Sequence, residues 1–76
     1  RIDAVVETND AVYLFEFKLD GDASEAIQQI KSNHYYQRYQ QRAKKLLLIG
    51  VNFDSTKRTV GSWQLETENP HVHSAS

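Results

Sequence analysis

Two short segments rich in β-branched and aromatic residues face each other across Asn9-Asp10, and this pair constrains the fold more than anything else in the chain. Residues 2–8 read Ile-Asp-Ala-Val-Val-Glu-Thr and residues 11–18 read Ala-Val-Tyr-Leu-Phe-Glu-Phe-Lys. Asn and Asp tolerate the positive φ angles of a tight turn, so the spacing predicts a β-hairpin with a two-residue loop. In that register opposed residues have numbers that sum to 19. One face then carries Ile2, Ala4, Val6, Tyr13, Phe15 and Phe17, and the other Asp3, Val5, Val12, Leu14, Glu16 and Lys18. Both faces are largely apolar, which predicts a sheet covered on both sides.

The rest of the chain extends this start into an α/β fold. Asp22, with Glu25 three residues on, has the spacing of a capping box, and Ala23, Ala26, Ile27, Ile30 and His34 follow at helical spacing. The helix is predicted over 22–33, with a bend near Asn33-His34 and a continuation to Tyr39–Gln41. Leu46-Leu47-Leu48-Ile49-Gly50-Val51 is an unbroken apolar run typical of a buried strand. Residues 54–57 form a turn, and 58–65 alternate as a last strand interrupted by Gly61. The predicted architecture is a mixed sheet: an antiparallel hairpin, a helical crossover to a parallel strand, then a second hairpin. The domain is expected over residues 1–66, with 67–76 as a flexible polar tail.

Length and composition limit what such a fold can hold. The chain has 76 residues and no cysteine, so disulfides, zinc knuckles and thiol nucleophiles are excluded together. A core this thin without a staple is marginal alone, and a larger parent or a partner copy is expected. No apolar run approaches the roughly 20 residues of a membrane span, and a cytoplasmic location without membrane contact is expected. The net charge of -1 conceals a division. Residues 1–25 carry seven carboxylates against Arg1 and Lys18, while residues 26–53 carry Lys31, Arg38, Arg42, Lys44 and Lys45 with no carboxylate. An acidic face beside a basic one suits a metal site next to a polyanion channel, although ordinary clustering in a small domain gives the same pattern.

The acidic half contains a pair that calls for an explanation. In the hairpin register Asp3 and Glu16 are directly opposed, and opposed like charges destabilise a strand pair. Val5, Val12 and Leu14 share their face, which argues against full solvation. A hard divalent ion with carboxylate, carbonyl and water ligands relieves the repulsion; Mg²⁺ fits, with Mn²⁺ as its substitute, and the Phe17 carbonyl is a further candidate ligand. Lys18 emerges two residues on, from the same face, where it could hold and polarise an attacking water. These are parts for in-line phosphodiester hydrolysis. A surface Glu–Lys pair with an unrelated Asp is the plain alternative.

These residues resemble the PD-(D/E)XK nuclease signature: Asp3, then Glu16-Phe17-Lys18 at the end of the next strand. Arg1-Ile2-Asp3, Phe15–Lys18, Glu25–Ile30, Tyr35, Ile49–Phe53 and Trp63 are similar to one bacterial branch, usually appended to an AAA-type ATPase-like domain. The resemblance implies a restriction-endonuclease-like core, Asp3 and Glu16 as metal ligands and Lys18 as the catalytic lysine. In RecB-like relatives a Gln and a Tyr on the following helix line the site as Q-x-x-x-Y. Gln29 and Tyr35 are the nearest match here, at a six-residue spacing that departs from the pattern. The family fold opens with a helix, often bearing another acid, and a first strand. This chain begins after both, so part of the site and one sheet neighbour are expected to be missing, and strong activity is not expected of this chain by itself. The implied function is a metal-dependent nuclease domain; the alternative is a non-catalytic binding or structural module attached to an ATPase-like domain.

Further residues bear on partners. Lys31, Tyr35, Arg38, Arg42 and Lys45 would form one stripe on a continuous helix, able to grip phosphates and stack on unpaired bases, and a bend near residue 33 would split it. Nucleic acid is the expected partner, DNA rather than RNA. Tyr36 and Tyr39 are expected to pack, His34 to sit at a helix edge, and Trp63 to cover the sheet edge or core. His71 and His73 fall in the polar tail. An uncovered sheet edge or face would favour a homo-oligomer.

Overall fold

The computed structural model describes residues 2–42 and 45–69. It is an α/β fold, a four-stranded mixed sheet with two helices on one face. The strands are β1 (Ala4–Glu7), β2 (Val12–Leu19), β3 (Leu46–Asp54) and β4 (Thr59–Glu68), and they lie in that spatial order. The helices α1 (Ala23–Ser32) and α2 (His34–Arg42) make the crossover between the parallel strands β2 and β3.

The first hairpin has the predicted register, with Ala4 opposite Phe15 and Glu7 opposite Val12. Its loop works differently from the expectation. Asn9 and Asp10 do not take positive φ, which among the described non-glycine residues is confined to Asp20 and Arg58. The Thr8 hydroxyl instead accepts the N–H groups of Asp10 and Ala11, at 3.3 and 3.0 Å, and this side-chain turn closes the loop.

Asp22 caps α1 by accepting the Ser24 N–H at 2.9 Å. The helix ends at Asn33, whose backbone is extended, and the Asn33 side chain accepts the Tyr35 N–H at 2.9 Å, starting α2. One asparagine thus ends one helix and caps the next. On the covered face Leu14, Ile27, Ile30, Leu46 and Leu48 are fully buried, with Val12 and Tyr36 beside them and Ile2 and Tyr39 at the margin. Alternation in β2 and β3 supplies this core: Val12, Leu14, Leu46 and Leu48 point to the helices.

Three expectations are corrected. The sheet is covered on one face only among the described residues, because both helices of the crossover lie on the same side. Trp63 accordingly does not cover a core; it stands 66% exposed on the open face of β4. The last strand also runs to Glu68, three residues past its predicted end at Leu65, because its ladder with β3 continues to Leu46↔Glu68. Residues 70–76, the rest of the expected tail with His71 and His73, lie outside the described residues. Gly61 interrupts β4 as predicted: the register shifts there by one residue, leaving it as the extra residue of a bulge.

Candidate metal and nucleic-acid site

The corner where β1 begins and β2 ends brings Asp3 onto the backbone of the Glu16-Phe17-Lys18 segment. The ladder stops at Ala4↔Phe15, and Asp3 lies in a bend one step before it. There the Asp3 N–H donates to the Phe15 carbonyl at 3.0 Å, and the Asp3 Oδ2 accepts the Phe17 N–H at 2.8 Å. A side-chain carboxylate therefore takes the place that the next residue of a continuing strand would fill. The N–H and C=O of a strand residue leave on the same side. The Phe17 carbonyl thus lies toward β1, on the side from which Asp3 approaches.

Glu16 occupies the other side of this corner. It is 7% exposed and is the one charged side chain in the core among the described residues. Its neighbour on β3 is Gly50. A Cβ on Gly50 would come within 2.3 Å of the Ala23 carbonyl oxygen, so the absent side chain lets the first turn of α1 sit directly on the sheet next to Glu16. Lys18 follows on the same face, half-buried and paired in register with Asn52. Asn52 accepts the Gly21 N–H at 2.7 Å and so fixes the turn from β2 into α1. Gly50 and Asn52 thus shape the site without contributing charge. Their signal in the sequence was a Gly-x-Asn closing an apolar strand.

The donors fit a hard divalent ion. Two carboxylates and a backbone carbonyl are all-oxygen ligands, and Mg²⁺ is typically held by one or two carboxylates with waters filling the remaining positions. Among the described residues no group of three or more His, Cys, Asp or Glu gathers, so a zinc-type cage of side chains is not formed there.

The other predicted residues fall on two sides of the helical layer. Lys31 pairs with Glu66 of β4, which marks the β4 side of α1. Gln29, two residues back and hence nearly opposite around the helix, is exposed on the other flank of α1. The break at Asn33 separates Lys31 from the cations of α2, so the predicted stripe is divided. On α2, the Arg38 guanidinium lies 5.2 Å from the Tyr35 ring centroid, and that of Arg42 lies 5.2 Å from the ring of Tyr39. Arg42 also donates to Glu7 at 2.9 Å. His34 stacks on Tyr35, its ring centroid 4.5 Å away. Lys45 is exposed just before β3. A groove of about 580 Å³ runs between β1 and the helices, with Ile2, Val5, Asn33, Tyr35 and Tyr39 among its walls.

Tyr36 is the packing tyrosine that was expected. It is buried, and its hydroxyl donates to the Glu68 carboxylate at 2.6 Å. Burial and the adjacent Glu68 push its pKa well above the ordinary tyrosine value of 10.0.

Comparison with known proteins agrees with this geometry. The family model of the PD-(D/E)XK nuclease superfamily matches residues 1–63. An uncharacterized protein in the vnfD 5′ region of Azotobacter chroococcum mcd 1 is 39% identical over 69 residues, covering 88% of this chain. The chain spans 13% of that relative's length. No solved structure matches. No described helix is long and apolar enough to cross a membrane. The match over most of the described fold, with Asp3 and Glu16-Phe17-Lys18 at one corner of the sheet, shows that the chain belongs to the PD-(D/E)XK nuclease superfamily.

Proposed function

We propose that this chain is a nuclease domain that hydrolyses nucleic-acid phosphodiester bonds with Mg²⁺ or Mn²⁺ held by Asp3, Glu16 and the Phe17 carbonyl. The observation that supports this most is the Asp3 carboxylate on the Phe17 N–H, which draws the first acid of the motif onto its Glu-x-Lys. When bound, such an ion lowers the pKa of water and stabilises charge on a phosphoryl oxygen. The chain's own residues do the rest. Phe17 orients Asp3 through its backbone. Lys18 carries an ammonium on the face of Glu16, where it orients the attacking water and offsets the growing charge of the phosphate. Gln29 contributes from α1, and Arg38, Arg42 and Lys45 bind substrate phosphates. Lys31 contributes at longer range from the β4 side.

One observation favours a second reading. The sheet face opposite the helices leaves Phe17, Phe53, Trp63 and Leu65 exposed, and a non-catalytic module attached to an ATPase-like domain would dock through such a face. A time course on supercoiled, linear and single-stranded DNA and on RNA, with Mg²⁺, Mn²⁺ or chelator, separates the two. The nuclease reading expects metal-dependent cleavage that Lys18→Met slows by about 10²–10³. Failure of the folded full-length protein to cut any of these substrates, or unchanged cleavage by its Lys18→Met variant, overturns it.

A further inference from the structure

Four residues of α2 stand at i, i+3, i+4 and i+7 and so share one face: Tyr35, Arg38, Tyr39 and Arg42. Each arginine lies over one tyrosine. Tyr35 is 49% exposed. Tyr39 packs partly on the core and also walls the groove beside β1. The groove's floor is apolar, made by Ile2 and Val5, and Ile2 adjoins Asp3. Glu7 engages one terminal nitrogen of Arg42, which leaves other donors of the fork available on a side chain 61% exposed.

This combination discriminates between polynucleotide forms. A duplex turns its phosphates outward and keeps the faces of its bases stacked inside. Arginines alone would serve it, and ring faces over an apolar floor would find no partner. A single strand offers both phosphates and free π-faces, and aromatic platforms beside cations are how such strands are held.

We propose that the groove between β1 and α2 binds single-stranded polynucleotide, with unpaired bases on Tyr35 and Tyr39 and phosphates on Arg38 and Arg42. This deepens the nuclease reading and rests on it only in that the bound strand would run toward Asp3. The test is fluorescence anisotropy in chelator, where nothing is cut. The probes are labelled oligothymidylate and oligouridylate of about 12 nucleotides, and a DNA duplex of the same length. At least one single strand should bind about tenfold or more tightly than the duplex. Tyr35→Ala should weaken that binding about tenfold, and Tyr35→Trp should restore it. Arg38→Gln should reduce the salt dependence by about 0.7 in the logarithmic slope. The DNA and RNA arms identify the sugar. Equal binding of duplex and single strand, no binding of either, or wild-type binding by Tyr35→Ala would overturn the proposal. Tight single-strand binding by a full-length protein that cuts nothing in Mg²⁺ would remove the nuclease reading and leave the groove. Cleavage without strand preference would do the reverse.

Discussion

The two faces of the sheet are made by alternate residues of the same strands, yet they carry different physics. Under the helices, Leu14 and Leu48 are fully buried and enclose the one charged side chain of the core, Glu16. On the other face Phe17, Phe53, Trp63 and Leu65 are 39–66% exposed. Phe17 rests on its aromatic neighbours there, its ring centroid 6.2 Å from that of Phe15 and 5.9 Å from that of Phe53. The covered face spends burial on stability and on desolvating an acid. The open face holds apolar area that nothing in the described fold removes from water. In Glu16-Phe17-Lys18, the side chains of the first and third residues share the covered face and that of the second lies on the open face. A single change of register would exchange them.

Substitution can break this contrast. Leu14→Ala should destabilise most, by about 2–5 kcal/mol, because it leaves a cavity under α1. Gly50→Ala should follow at about 1–3 kcal/mol, because its methyl meets backbone rather than a yielding side chain. Tyr36→Phe should cost about 1 kcal/mol by removing a hydrogen bond to Glu68 that is half open to water. It should also change the alkaline limb of stability. The Tyr36 pKa is raised in the fold, so its contribution is complete below the ordinary value of 10.0 and is lost as pH climbs beyond it. In Tyr36→Phe that loss should be absent. On the open face, Trp63→Thr and Leu65→Thr should stay within about 0.5 kcal/mol. Urea unfolding followed by circular dichroism ranks all of these. Equal costs on the two faces would end the contrast. A wild-type melting temperature that rises with protein concentration would mean that another copy covers the open face.

Much of this was legible in the sequence because it depends on local rules. Two β-rich runs on either side of Asn9-Asp10 gave the hairpin register from Ala4↔Phe15 to Glu7↔Val12. Asp22 and the spacing of Ala23 to Ile30 set α1, and Asn33 marked the break. The element order therefore followed from residues only a few positions apart. What was not legible was long-range. Nothing near Trp63 tells that both helices fall on the other side of the sheet. Nothing near Lys31 names Glu66 as its partner, so a stripe drawn along one helix became two sides of a helical pair. The loop closure by Thr8 was missed because an Asn-Asp turn was assigned from φ tolerance alone, without weighing a hydroxyl just before it. Nothing near Gly50 in the sequence tells its use, which is the close approach of α1 to the sheet.

The proposed nuclease chemistry requires a cation held between Asp3 and Glu16, and thermal unfolding during titration with Mg²⁺ or Mn²⁺ tests this most directly. A ligand that binds only the native state stabilises it by mass action, by about 2.7 kcal/mol at a hundredfold excess over Kd. Wild type should show that rise in melting temperature. Asp3→Asn keeps an acceptor for the Phe17 N–H but loses the charge, and it should show none. Lys18→Met should keep the rise while losing cleavage. An equal rise in wild type and Asp3→Asn, or no rise in wild type, would contradict a metal site at this corner.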